Sequence, residues 1–257
     1  MNARSLILTC SLAALLMLTA VGRVCAADLN GPFDAANKLY AEGKYAAAAD
    51  GYEQAIRQAQ AAGVASPVLY FNAGNAEFKL GHLGRAIAAY RQAALLTPRD
   101  SEVLGNLAFV RNQVQGATVR PSPWQSWVGS LSFNEGTCLT AGFFWLTFIL
   151  LGLKQIWPAL APRLRGITQI IICATVLSGA VLAVQSYSHF RGQTAVVTDA
   201  NAMALSGPYK DAVNAFALHD GAELSVLDRH DDWLQVTDGS GRIGWLPGNQ
   251  LELLPGA

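Results

Sequence analysis

The chain has 257 residues, with 18 Lys+Arg balancing 18 Asp+Glu, 52% hydrophobic residues and only 14% charged. Soluble domains carry about 25% charge, and the deficit is local: 136–153 is a run of 18 uncharged residues and 166–188 a run of 23. An ordinary water-soluble globule is thereby excluded, and zero net charge gives no basic surface of the kind nucleic acid demands.

Residues 1–26 read as a secretory signal: Arg4 opens it, Leu6 to Val21 is apolar apart from Thr, Ser and Cys, and Val24-Cys25-Ala26 supplies a small-residue cut before Ala27. The alternatives are an uncleaved anchor, which leaves the topology unchanged, and lipid attachment at Cys25, disfavoured by Arg23 and Val24. Of four cysteines, Cys10 and Cys25 lie in this leader and Cys138 and Cys173 in the apolar runs, which leaves none for a structural disulfide or thiol nucleophile in a watery segment.

Residues 28–115 are Ala-rich with helical apolar spacing. Gly43, Ala48, Tyr52 and Ala55 recur 38 residues later as Gly81, Ala86, Tyr90 and Ala93. On these residues, with Tyr70, Ala73-Gly74, Phe78 and Pro98, the segment resembles a tetratricopeptide repeat stack, an α-solenoid. Against a 34-residue family period there are four extra residues within Gln58 to Pro67, expected to lengthen the second helix of the first unit. Pro32 stands where an aromatic is usual, and Glu77 where Tyr is. A last helix over Ser101 to Gln115, with Leu104 and Leu107 inward and Asp100 or Ser101 capping it, closes the stack. Residues 116–136 form a Pro/Gly/Ser-rich linker, whose Trp124 and Trp127 suit either a membrane interface or packing on the repeats.

Two transmembrane helices are expected over 137–155 and 167–188, joined by a loop at 156–166. That loop holds Lys154 at its edge, Arg163 and Arg165 and no acid, and so favours the cytoplasmic side. Leader and loop agree on a bacterial inner-membrane hairpin with both soluble parts on the periplasmic, extracytoplasmic side. Ala174/Ser178 and Gly179/Ala183 in the second run are small pairs suited to helix packing.

From 193 to 254, about five short alternating stretches (194–198, 202–205, 223–228, 233–237 and 242–246) are separated by turn residues and predict a small β-barrel. Asp232-Trp233-Leu234-Gln235-Val236, Gly244-Trp245-Leu246-Pro247 and Val226-Leu227-Asp228 resemble a bacterial SH3-like domain, without the Arg usual near 202–208. Residues 191–257 hold nine acids against Arg191, Lys210, Arg229 and Arg242, net −5, which argues against anionic polymers or acidic lipid as partners.

No nucleophile–base pair, zinc-ligand spacing or phosphate loop is legible. His219 and His230, with Asp220, Asp231 and Asp232, read as solvated loop residues, so a non-catalytic protein without cofactor or metal is expected. By repeat position, the resemblance implies that Asn37, Tyr40, Phe71, Asn72, Asn75, Phe78 and Lys79 face a peptide groove, with Asn37 and Asn72 at matching places. Solvation of that face is the alternative role for the asparagines. A carboxylate clamp is incomplete, because Glu102 and Asn106 replace its basic pair. Trp233 and Trp245 either line a groove of the barrel or pack in its core.

Signal, repeats, transmembrane hairpin and terminal SH3-like domain, in this order, make the chain similar over nearly its whole length to the E-type membrane proteins of the aerotolerance operon. The resemblance implies partners among von Willebrand A-domain membrane proteins, a MoxR-type ATPase, and a scaffold role in envelope maintenance or oxidative-stress tolerance. The other function considered is recognition of peptidoglycan peptides by the SH3-like domain.

Overall fold

The computed structural model describes residues 30–114, 131–191 and 193–254. The signal at 1–26 and Trp124 and Trp127 lie outside the described residues. The fold is mixed α plus β: among the described residues there are seven α-helices and one seven-stranded antiparallel sheet.

Five helices occupy the first segment: α1 (Asn30–Ala41), α2 (Tyr45–Ala61), α3 (Pro67–Leu80), α4 (Leu83–Leu96) and α5 (Ser101–Arg111), each packed on the next. The recurring residues explain the packing. Ala48, Tyr52 and Ala55 of α2 and Ala86, Tyr90 and Ala93 of α4 are all at most 2% exposed. In each unit two alanines bring the helix backbones together around one large ring. Gly43 and Gly81 turn each helix pair with φ of 75° and 80°, a left-handed conformation that costs a side chain energy. The extra residues of the first unit do lengthen its second helix, which has 17 residues against 14 in α4. Pro32 does not cost the first unit its aromatic contact: Phe33 packs on Tyr52 at 6.3 Å as Phe71 does on Tyr90 at 5.8 Å.

Asp100 caps α5, its Oδ1 accepting from the amides of Glu102 (2.9 Å) and Val103 (3.3 Å). The phase of that helix differs from the sequence expectation. Val103, Leu107 and Val110 face inward on an i, i+4, i+7 stripe, and Leu104 is 42% exposed.

The sheet comprises β1 (Thr194–Val197), β2 (Met203–Leu205), β3 (Asn214–Ala217), β4 (Glu223–His230), β5 (Trp233–Thr237), β6 (Ile243–Pro247) and β7 (Leu251–Leu254), in the order β3-β2-β6-β5-β4-β1-β7. The five expected strands are present. β3 is a short and mostly exposed edge strand, and β7 follows a 3-10 turn after Pro247, so neither carries a clear alternating pattern. The core includes Ala195, Val197, Leu224, Leu234, Val236 and Leu246.

β1 is buried on both faces. Ala195 and Val197 enter the sheet core, while Val196, with Leu254, joins a second core containing Ile87, Tyr90, Leu107 and Val110 of α4 and α5. Beside it Glu223 of β4, with a side chain 4% exposed, receives Arg111 through both Nε (2.5 Å) and Nη2 (2.7 Å) and Arg91 through Nη1 (3.0 Å). The helical segment and the sheet thus form one packed body.

The remaining unit, Phe133–Val184, holds α6 (Phe133–Ile156) and most of α7 (Ala161–Arg191), both long and apolar enough to cross a membrane. Apolar side chains point outward, among them Ile170, Val176 and Leu177, each at least 68% exposed. Thr147 and Thr175 meet across the pair at 3.0 Å. The expected loop at 156–166 is shorter in the structure: only Trp157 and the 3-10 turn Pro158–Leu160 interrupt the helices. Pro162 sits in the first turn of α7, where its missing N–H costs no helical bond, so the helix absorbs Arg163 and Arg165. The first helix likewise starts inside the expected linker, at Phe133.

Candidate functional site

Helices α1 and α3 carry asparagines, Asn37 and Asn75, that the 38-residue recurrence relates. Tyr52 on α2 donates its hydroxyl to Asn37 Oδ1 at 2.7 Å, and Tyr90 on α4 donates to Asn75 Oδ1 at 2.6 Å. Each oxygen also accepts an amide from a later helix, Asn72 Nδ2 of α3 to Asn37 and Asn106 Nδ2 of α5 to Asn75, both at 3.3 Å. The equivalences therefore differ from those expected. Asn37 matches Asn75 as acceptor, and Asn72 matches Asn106 as donor.

These bonds orient the amides. An oxygen that accepts from two N–H or O–H donors has both lone pairs engaged, so Asn37 and Asn75 keep their NH₂ groups to offer elsewhere.

Asn37, Tyr40, Tyr52, Asn72 and Asn75 line a pocket of about 100 Å³. That is room for a small side chain or a stretch of main chain, against the roughly 300–1,000 Å³ of drug-sized sites. All five lining residues are uncharged. Burial, and then the neighbouring tyrosine, push the Tyr40 and Tyr52 hydroxyls above their ordinary value, so both stay neutral donors through physiological pH.

Four of the expected groove residues thus come together: Asn37, Tyr40, Asn72 and Asn75. Lys79 is exposed on α3, away from the residues lining the pocket. Phe71 and Phe78 are half-buried against the core around Tyr90, Phe71 ring to ring with Tyr90 and Phe78 edge-on to Phe109 at 5.7 Å. Apolar rings gain more from that core than from a polar pocket. Tyr52 was missed as a lining residue. Its signal was present in the 15-residue spacing that both Asn–Tyr pairs share.

On the sheet, Leu234, Val236, Gly244 and Leu246 take the inner face, so the alternation turns Trp233 and Trp245 outward, both half-buried. Trp233 lies opposite Pro247 and Trp245 opposite Gln235, which sets the indoles diagonally on one face of β5 and β6. Neither enters the core.

The acid–imidazole cluster does not converge either. Asp220 Oδ1 accepts the Gly84 amide at the start of α4 (3.0 Å), His230 lies 3.8 Å from Asp231, and His82 bonds Glu77 at 2.7 Å. Among the described residues no group of three or more His, Cys, Asp or Glu is placed to hold a metal ion. Cys138 and Cys173 are free and exposed on α6 and α7.

Comparison with protein-family models finds no match, and comparison with curated proteins finds none either.

Proposed function

We propose that the protein is a non-catalytic, membrane-anchored scaffold whose tetratricopeptide-type groove docks extended segments of partner proteins outside the cytoplasm. The observation that carries this reading is the neutral asparagine–tyrosine pocket, in which the amide oxygens of Asn37 and Asn75 are engaged internally and their NH₂ groups are available for main-chain carbonyls. No cation lines that pocket, which disfavours a carboxylate clamp and favours an internal stretch of chain.

The anchoring rests on α6 and α7 as a transmembrane hairpin. The helical segment and the sheet, here taken as SH3-like, share a buried core, which supports placing both on one side of a bilayer with an even number of crossings between them. With a cleaved or uncleaved N-terminal signal, that side is the periplasm. The aerotolerance-operon resemblance names the partners to try first, von Willebrand A-domain membrane proteins working with a MoxR-type ATPase. A second reading, binding of peptidoglycan peptides by the sheet, is favoured by the outward placement of Trp233 and Trp245.

The test is co-purification of a von Willebrand A-domain membrane protein from native membranes with the wild type and with Asn72→Ala. Asn72 donates into the pocket network but lies outside the core. Loss of the partner in the variant supports the groove, whereas undiminished recovery overturns it. Cosedimentation of the wild type and Trp233→Ala/Trp245→Ala with purified sacculi separates the second reading, which predicts binding by the wild type alone.

A further inference from the structure

The contact between the helical segment and the sheet is built more tightly than a tether requires. Glu223 is enclosed and takes three donors from two helices, Arg91 of α4 and Arg111 of α5. Breaking a buried ion cluster by removing one partner leaves an uncompensated charge, so such a contact is costly to disrupt. Backbone also meets backbone. A Cβ on Gly84 would run into the Val197 carbonyl oxygen and come within 2.5 Å of Asp220 Oδ1, and one on Gly221 would lie 2.5 Å from Val114 Cγ2.

One residue belongs to both this contact and the asparagine chain. The Tyr90 ring, 1% exposed, packs in the core shared with Val196 of β1 and Leu254 of β7, while its hydroxyl holds Asn75 of the groove. Arg91, its neighbour in sequence, holds Glu223. The same turn of α4 thus faces the sheet with one side chain and anchors the groove with the next.

We propose that the sheet is a latch on the second repeat: the groove keeps its asparagine geometry at Asn75 only while the sheet is docked, and release of the sheet loosens the groove. The device is conformational and independent of what the groove binds. Coupling of this kind is reciprocal, so occupancy of the groove tightens the docking of the sheet by the same factor.

Two variants of the full chain in detergent or nanodiscs test it. Glu223→Gln keeps the shape and removes the charge. Hydrogen exchange should quicken by roughly tenfold or more in β1 and β7 and also in α3 around Asn75, since all belong to one cooperative unit. Acceleration in β1 and β7 with α3 unchanged would overturn the latch. Gly84→Ala distinguishes the two cases by sign. In an undocked helix alanine is the better residue and the melting temperature rises; against a docked sheet the added methyl clashes and it falls. A rise overturns the proposal; a fall with faster exchange in α3 around Asn75 supports it, and a fall with α3 unchanged overturns it, so this variant reads out even if Glu223→Gln fails to fold.

Discussion

At the scale of single residues, the two tyrosines do the same job twice. Tyr52 and Tyr90 are each buried against small residues and each spend the hydroxyl on an asparagine 15 positions earlier. Replacing either by Phe keeps the ring and frees one lone pair on an oxygen that retains its second donor. Each change should therefore cost about 1 kcal/mol in denaturant unfolding, and nearly the same at both sites.

Asp238 is the residue to follow with acid. Burial opposes its ionisation, but the Arg242 side chain at 2.7 Å and the amides of Arg242 and Ser240 outweigh that and hold the carboxyl below the usual aspartate range. A depressed folded value stabilises the fold fully above the unfolded-chain value of 3.8, and the contribution disappears as pH falls below that toward the folded value. Asp238→Asn should flatten this acid limb in a stability-versus-pH series and cost about 1–3 kcal/mol at pH 7, because charge-assisted bonds are lost from a buried turn.

At the scale of elements, α5 shows how a terminal helix is held. It begins on the Asp100 cap and buries Val103, Leu107 and Val110 along one stripe. Asp100→Ala removes the acceptor for two amides and should cost about 1 kcal/mol, read as faster exchange at Glu102 and Val103. The hairpin of α6 and α7 has a weaker tie. Each hydroxyl has one proton and a carbonyl acceptor four residues back, so whichever donates across the pair can return to its own helix, and losing the mutual contact strands no polar group. Thr175→Val should weaken helix association by about 0.6 kcal/mol in a detergent-based unfolding assay, the average for such bonds in a bilayer protein.

The strands divide by how much pattern they carry. β5 reads plainly because Leu234 and Val236 alternate with Trp233, Gln235 and Thr237, one face in and one face out. β1 does not alternate, since Ala195, Val196 and Val197 are all buried. That unbroken apolar run was the legible trace of a second covered face, because a strand with water on one side would have shown a polar residue at 196.

At the scale of the whole molecule, Glu223 ties the sheet to the helices. Removing Glu223 alone, as Leu, leaves Arg91 with its side chain 9% exposed and no carboxylate beside it; a loss of about 3–5 kcal/mol is expected. Replacing all three charges together with apolar residues of similar volume should be close to neutral or stabilising, which a denaturant titration of the triple variant against the single one would show. The pair of results would separate the strength of the contact from its specificity.

The sequence by itself determined most of the elements and most of the residues that line the pocket. The 38-residue recurrence located the buried alanines and tyrosines, the turn glycines set the helix ends, and the uncharged runs marked α6 and α7, because these features depend on local spacing and on each residue's own solvation. It also picked out Asn37, Tyr40, Asn72 and Asn75, which stand at repeat-defined positions. What tertiary structure alone decided was everything that pairs residues far apart in the chain. Phe71 and Phe78 went to the core, Asp220 went to the amide of Gly84 136 residues away, and Glu223 met arginines 132 and 112 residues away. An acid in a strand looks the same in sequence whether it faces water or a buried guanidinium, since its partner is chosen by packing and leaves no mark on its neighbours.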